Sequence, residues 1–374
     1  MKPTWPSKAA KAVPTDLRRL RVHAITHTLF PRASLKAAVD RLGFVQADPI
    51  RSPARAQDLI LRLRATGYRA GDLDRHYREL ELEEDFVYAY GFVPQSIWQL
   101  LHPRKTTGLT ELEKKVLEVV RGCGELHPRE LEAHLGRKRA VNAWGGYSKA
   151  TTHALQKLHY RGLLRIAGRE NGIRLYQSLP QRDQSIQPPA EPLPLDARLQ
   201  KVVRLVANIL APIPEKSLRE AMGHLRHLGD VRSALRSCEF GHQTIDGLKY
   251  VWPASDAPSP EEAPRMVRIL APFDPLVWDR RRFEHLWGWP YRFEAYTPMA
   301  QRVRGYYAMP LLWGDAVIGW ANLSVSAGKL VPEFGFIGKR PTDAAFRRAL
   351  EEELASFDYF LGSLVGGTIP LRRK

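Results

Sequence analysis

The stretch Thr151–Gln177, TTHALQKLHYRGLLRIAGRENGIRLYQ, changes character halfway along. TTHALQKLHYRGLL has apolar residues at helical spacing, and RIAGRENGIRLYQ reads as two short strands. Between the strands, Glu170-Asn171-Gly172 suits a tight hairpin turn. Two further helices precede this stretch. TELEKKVLEVV (Thr110–Val120) opens on a threonine that can cap it, and HPRELEAHLG carries Pro128 in its first turn. Three helices followed by a hairpin make a winged helix, with the hairpin as wing. Its Arg165, Arg169 and Arg174 are then placed to meet phosphate.

The same order recurs on both sides. ARLQKVVRLVANIL, EKSLREAMGHL and DVRSALRSC read as three helices, followed by GHQTIDGLKYVW with Asp246-Gly247 at a turn. At the front, TDLRRLRVHAITH and SLKAAVDRLG read as helices and FVQAD as an extended piece. SPARAQDLILRLRATG reads as a third helix, with Ser52 as N-cap and Pro53 at its first position. After Arg265 the period becomes two, in RMVRILAPF, YRFEAYTP, RGYYAMPLLW, AVIGWANLSV and KLVPEFGFI, before the amphipathic DAAFRRALEEELASFDYFLG. Two proline-rich connectors, Ser178–Ala197 and Pro253–Pro264, separate these blocks. The expected fold class is α+β, with winged-helix units at 1–105, 106–180 and 195–253. A small antiparallel β-barrel or curled sheet with a closing helix follows at 265–374.

The chain has 374 residues, a formal net charge of +17 and a pI near 10.0. A hydrophobic share of 44% is enough for proper cores and argues against global disorder. The positive excess is mainly arginine, the side chain that grips phosphate through a planar fork. Cys123 and Cys238 match neither a disulfide framework nor a zinc-ligand spacing, and no metal or cofactor is expected. MKPTWPSKAAK lacks an apolar run, so neither a signal peptide nor a membrane span is expected. The expected location is the cytoplasm, on the nucleoid, and the expected state is monomeric.

Within Arg41–Ile50, RLGFVQADPI, two polar side chains interrupt an apolar run. In an extended backbone Gln46 and Asp48 project to the same side, with Cα atoms about 6.6 Å apart, room for one water between amide and carboxylate. Arg51 and Arg55 follow closely and are expected to keep Asp48 ionised. Asp-Pro is also a common turn dipeptide, so these residues alone leave a turn or a catalytic pair open. LGFVQADPI, RAQDLILRLRATGY and LDRHY together resemble the helix-turn-helix DNA glycosylases of the AlkZ and YcaQ (AlkX) group, whose motif is Gln-hydrophobic-Gln or Gln-hydrophobic-Asp. ALQKLHYRGLLRIAGRENGIRLY and ILAPFDPLVWDRRRFEHLWGWPYRFEAYTP extend the resemblance over nearly the whole chain. It implies winged helices and a β-barrel around a DNA channel, excision of alkylated purines including interstrand crosslinks, and catalytic roles for Gln46 and Asp48. One departure stands out. Where that family often has aromatic-x-His, this chain has Phe86 and Tyr88, so no histidine role carries over.

The partner implied is double-stranded DNA containing alkylated bases. The residues expected at its phosphates are Arg51, Arg55, Arg62, Lys149, Arg169, Arg174, Arg302 and Arg304. Asp274 and Asp279, in FDPLVWDRRR, read either as functional groups or as anchors of a proline-bracketed turn. No lysine adjoins Gln46-Ala47-Asp48, which favours water as nucleophile and a monofunctional glycosylase. The rival readings are a winged-helix transcription regulator and a DNA-binding protein without catalysis.

Overall fold

The computed structural model describes residues 15–102, 104, 108–136, 139–141, 147–170, 172–179, 193–258 and 262–362. The turn residue Asn171, Trp144 and most of the first proline-rich connector lie outside them. Two compact units emerge: residues 1–72, 204–221 and 238–374 form one, and residues 73–203 and 222–237 the other. The class is mixed α/β.

In the first unit, helix Thr15–Thr28 buries Leu17, Leu20, Ala24 and Ile25 against Leu276, Val277, Phe283 and Leu286. Helix Leu35–Leu42 starts on Ser34, whose hydroxyl accepts from Ala37 N–H at 3.2 Å, and ends at Gly43, where φ is 64°. A Cβ at Gly43 would lie 2.4 Å from Leu205 Cδ1, so the turn into the next strand requires glycine. That strand is short, Val45–Gln46.

The third helix differs from expectation. It begins after Arg55 and covers only Ala56–Leu61, so Ser52 and Pro53 are neither its N-cap nor its first turn. Ser52 N–H instead bonds the Ala54 carbonyl at 3.3 Å, and Arg55 is still extended. The late start leaves residues 49–55 as a connection between Asp48 and the helix.

After Arg265 the strands Val267–Ile269, Met309–Trp313, Ala316–Ser326 and Lys329–Phe336 pair antiparallel in that order, giving a half-barrel sheet. The turn at Gly314-Asp315 joins two of them, with Trp313 opposite Ala316. Helix Ala344–Leu361 packs on its first strand. The strand expected at YRFEAYTP does not form. Pro290 and Pro298 bracket it without ladder N–H groups. Glu294 turns back to accept the N–H groups of Val303, Arg304 and Gly305 at 2.9, 2.8 and 3.2 Å. The segment is therefore a clamped loop.

Asp274 and Asp279 are anchors. Asp274 caps helix Pro275–Trp278 and holds the Arg64 guanidinium through two bonds of 2.7 and 2.9 Å, both side chains fully buried. Asp279 caps helix Arg280–Trp287 through Arg281 and Arg282 N–H. Removing one partner of a buried pair such as Arg64–Asp274 costs about 3–5 kcal/mol. This block reads as scaffold.

In the second unit, helices Glu111–Cys123, Pro128–Leu135 and Ala150–Tyr160 bury Val116, Val120, Leu131, Leu155 and Leu158. Thr110 and Glu113 form a capping box on the first of them. The three-stranded sheet runs Glu125–Leu126, Ile173–Ser178, Leu164–Glu170, with Glu170 opposite Ile173 at the hairpin end. A second hairpin, Leu82–Phe86 with Tyr90–Pro94, belongs to the same unit. In the chain's later part, strands Phe240–Ile245 and Leu248–Pro253 form a hairpin over Asp246-Gly247, joined by Ile213–Pro214. Neither Cys123 nor Cys238 is in a disulfide. Among the described residues no helix is long and apolar enough to cross a membrane.

Candidate active site

Phe44 and Val45 are buried and fix the depth of the strand that carries Gln46. Gln46 is half-buried, and its side-chain oxygen points inward without a hydrogen-bond partner. Asp48 is also half-buried. Its Oδ1 accepts from Ile50 N–H at 2.9 Å, a local turn that sets the carboxylate, and its own N–H approaches Gln57 Oε1 at 3.4 Å. Burial raises the Asp48 pKa above the ordinary aspartate range, and the Ile50 N–H only partly opposes this. The shift is set by burial, and the expected influence of Arg51 and Arg55 is not among its causes. Arg55 is buried and its Nε bonds Asp58 at 3.1 Å, an acid that also receives Tyr68 OH and Gly71 N–H.

Two tyrosines share Asp48's electrostatic neighbourhood. Tyr307 is buried and its hydroxyl has no hydrogen-bond partner. Burial first, then the Asp48 carboxylate, holds that phenol well above its usual pKa. Tyr296 is 80% exposed, and burial followed by Asp48 raises its pKa as well. Both belong to the loop that Glu294 clamps. Gly305 there has φ 127°, and Asn322 and Trp320 donate to the Arg304 carbonyl at 2.7 and 3.0 Å. The fixed loop displays Tyr296, Met299 at 81% exposure, Val303 and Tyr306 to solvent. Exposed apolar side chains on rigid backbone can stack on or wedge beside a nucleobase. The sequence reading took Arg302 and Arg304 from this loop but missed its tyrosines. The aromatic density of FEAYTPMAQRVRGYY was its signal.

The predicted phosphate contacts divide sharply. Arg51 is exposed at the end of the Asp48 turn. Arg302 is half-buried, bonds the Thr297 carbonyl at 2.8 Å and lies over Tyr306. Lys149 ends strand Tyr147–Lys149. Arg62, expected on an exposed helix face, is buried instead. It ion-pairs with Glu353, donates to the Ile269 carbonyl at 3.0 Å and stacks on Phe357. Arg304 is likewise buried, beside Glu294 and over Trp289.

In the second unit Arg169 bonds both oxygens of Glu84 at 2.9 and 2.7 Å, and Arg174 donates to the same carboxylate at 3.1 Å. Burial pushes the Glu84 pKa up, but the two arginines outweigh it and the net shift is downward. Arg165 pairs with Glu83 at 2.7 Å; burial wins there and pushes Glu83 up to about 7. Asp85 receives His102 and Arg104. The wing arginines are thus partnered by LEEDF, three buried acids in a row that the sequence reading passed over. Three consecutive acids inside an apolar strand of a basic chain were the available sign.

The family model of AlkZ-like DNA glycosylases matches residues 39–360. Among solved structures, the fold is similar to the Streptomyces sahachiroi DNA glycosylase AlkZ, with 16% sequence identity and a TM-score of 0.62 over 95% of this chain and 98% of that one.

Proposed function

The chain belongs to the AlkZ-like DNA glycosylase family, and from that premise we propose that it hydrolyses the N-glycosidic bond of alkylated purines in duplex DNA, crosslinked purines included. A purine alkylated on a ring nitrogen is already a cationic leaving group, so no strong general acid is needed. The sugar becomes oxocarbenium-like as the bond breaks, and a nearby carboxylate stabilises that charge. Asp48 fills this role. Its half-buried position weakens solvent screening, so the interaction gains strength as the cation develops. Gln46, with its amide oxygen lacking a protein partner, accepts from the attacking water. Tyr307, whose hydroxyl is unpartnered and feels the Asp48 carboxylate, is a positioning residue in this scheme.

The arrangement of the chain as three tandem winged-helix units belongs to this reading. In each part helices precede a hairpin. These units and the half-barrel loop would grip the backbone of a monomer's DNA substrate, with Arg51, Arg302 and Lys149 as phosphate contacts. The enzyme is monofunctional in this scheme, with water rather than an amine as nucleophile.

The observation that carries the proposal is the Asp48 carboxylate, raised in pKa by burial and set beside an exposed aromatic loop. The test is single-turnover excision of 7-methylguanine from duplex DNA, read by alkaline cleavage at abasic sites. Asp48→Asn should fold, bind DNA like the parent and lose excision by roughly 2.7–4 kcal/mol of transition-state stabilisation, about 10²–10³-fold. Gln46→Ala should lose less. Parental rates in Asp48→Asn would make the motif a structural turn, and preference for one undamaged palindrome would favour a regulator.

A further inference from the structure

Helix Thr15–Thr28 sets His23 and His27 one turn apart on a single face. Asp256 meets them from the turn that follows strand Leu248–Pro253, where its N–H bonds the Pro253 carbonyl at 2.9 Å. One donor atom from each of the three lies within 4.8 Å of the other two. Their hydrogen bonding is unusual. His27 Nε2 is 2.6 Å from the Asn208 carbonyl oxygen, which can only accept, so Nε2 carries the hydrogen. In the neutral ring Nδ1 then presents a lone pair, and Nδ1 closely faces Asp256 Oδ2. His23 Nε2 lies 3.7 Å from the same oxygen and has no hydrogen-bond partner, in a residue only 3% exposed.

With His27 neutral, three electron-rich atoms converge with no hydrogen between them, and one is a buried nitrogen without a partner. We propose that His23, His27 and Asp256 form a site for one divalent transition-metal cation, zinc being the ion that the donor set fits. Two imidazole nitrogens with one carboxylate oxygen are a zinc-type set, and hard cations such as magnesium prefer oxygen alone. The Asn208 carbonyl acts as the outer partner that fixes the His27 tautomer. A cleft lined by His27, Asp256, Thr28, Phe30 and Arg41 gives solvent access. The cation would pin the first helix to a turn far along the sequence, as a structural clamp. It takes no part in the excision step at Asp48. Sequence spacing hid the site because the third ligand is remote from the histidine pair.

The competing account is a proton on His27 Nδ1, which would make His27–Asp256 an ordinary ion pair. Zinc binding to the full chain, stripped with chelator and titrated against a chromophoric competitor, separates the two. The expected result is one zinc per chain and a thermal midpoint that rises with zinc. His23→Gln leaves His27–Asp256 intact yet should weaken zinc binding at least tenfold and abolish the thermal shift. Asp256→Asn, at a partly exposed position, should do the same and serves if His23→Gln folds poorly. No bound zinc, or equal retention by the parent and both variants as an adventitious ion only, would overturn the proposal.

Discussion

At Asp48 the fold disfavours the charged carboxylate, while the proposed reaction requires it. Because burial raises its pKa, single-turnover excision should fall on acidification with an apparent pKa above the roughly 3.9 of a free aspartate. A rate profile flat down to pH 4 would contradict that. The same sign governs stability. A carboxylate with a raised folded pKa contributes stability below its unfolded pKa and loses it as pH rises through the folded value. Asp48→Asn should therefore melt at the same temperature as the parent or higher at pH 7. A variant that is no less stable yet inactive marks a group held for function. Tyr307→Phe removes a buried hydroxyl that has no partner, so stability should hold or rise. Excision should drop about tenfold or more if that hydroxyl contributes to positioning, and an unchanged rate with an unchanged pH profile would remove Tyr307 from the site. The sequence pointed to Gln46 and Asp48 through motif and alternation. The places of Tyr296 and Tyr307 were not legible, because the fold and not sequence spacing brings them within the electrostatic reach of Asp48.

Arginine shows best what a sequence withholds at the scale of elements. Arg51 and Arg62 belong to one basic run, RSPARAQDLILR, yet one is exposed and the other sits against Glu353 and Phe357. Arg51→Ala should weaken DNA binding with little change in melting temperature. Arg62→Ala should instead destabilise the fold, by up to about 3–5 kcal/mol, because the buried Glu353 would lose its closest cation and keep Arg268 at 3.6 Å as its remaining ion-pair partner. Thermal melts beside binding titrations distinguish them; similar melting temperatures for the two variants would refute the assignment. Helix periodicity and the hairpin turn at Asp246-Gly247 were legible, since local chemistry dictates them. The start of the helix at Ala56 and the loop at 291–298 were not; in the loop, the bonds from Glu294 to the N–H groups of Val303, Arg304 and Gly305 outweigh strand propensity.

For the whole molecule, binding should be strongly salt-dependent. Several phosphate contacts imply about a hundredfold or greater loss of affinity between 50 and 200 mM salt, measurable by anisotropy on undamaged duplex, where a flat response would refute the electrostatic account. The interior ion pairs sharpen this expectation. Asp58, Glu84, Asp85, Asp274, Glu294 and Glu353 are all buried, each with an arginine beside it. Each pair removes one charge of either sign from the surface, so the net excess of +17 survives. The surface loses cations and anions in equal number, and because cations start in excess the charges left on it are weighted further toward positive. Folding thus acts as a charge sorter: the core takes in matched pairs, and an approaching duplex meets a more single-signed surface than the composition describes.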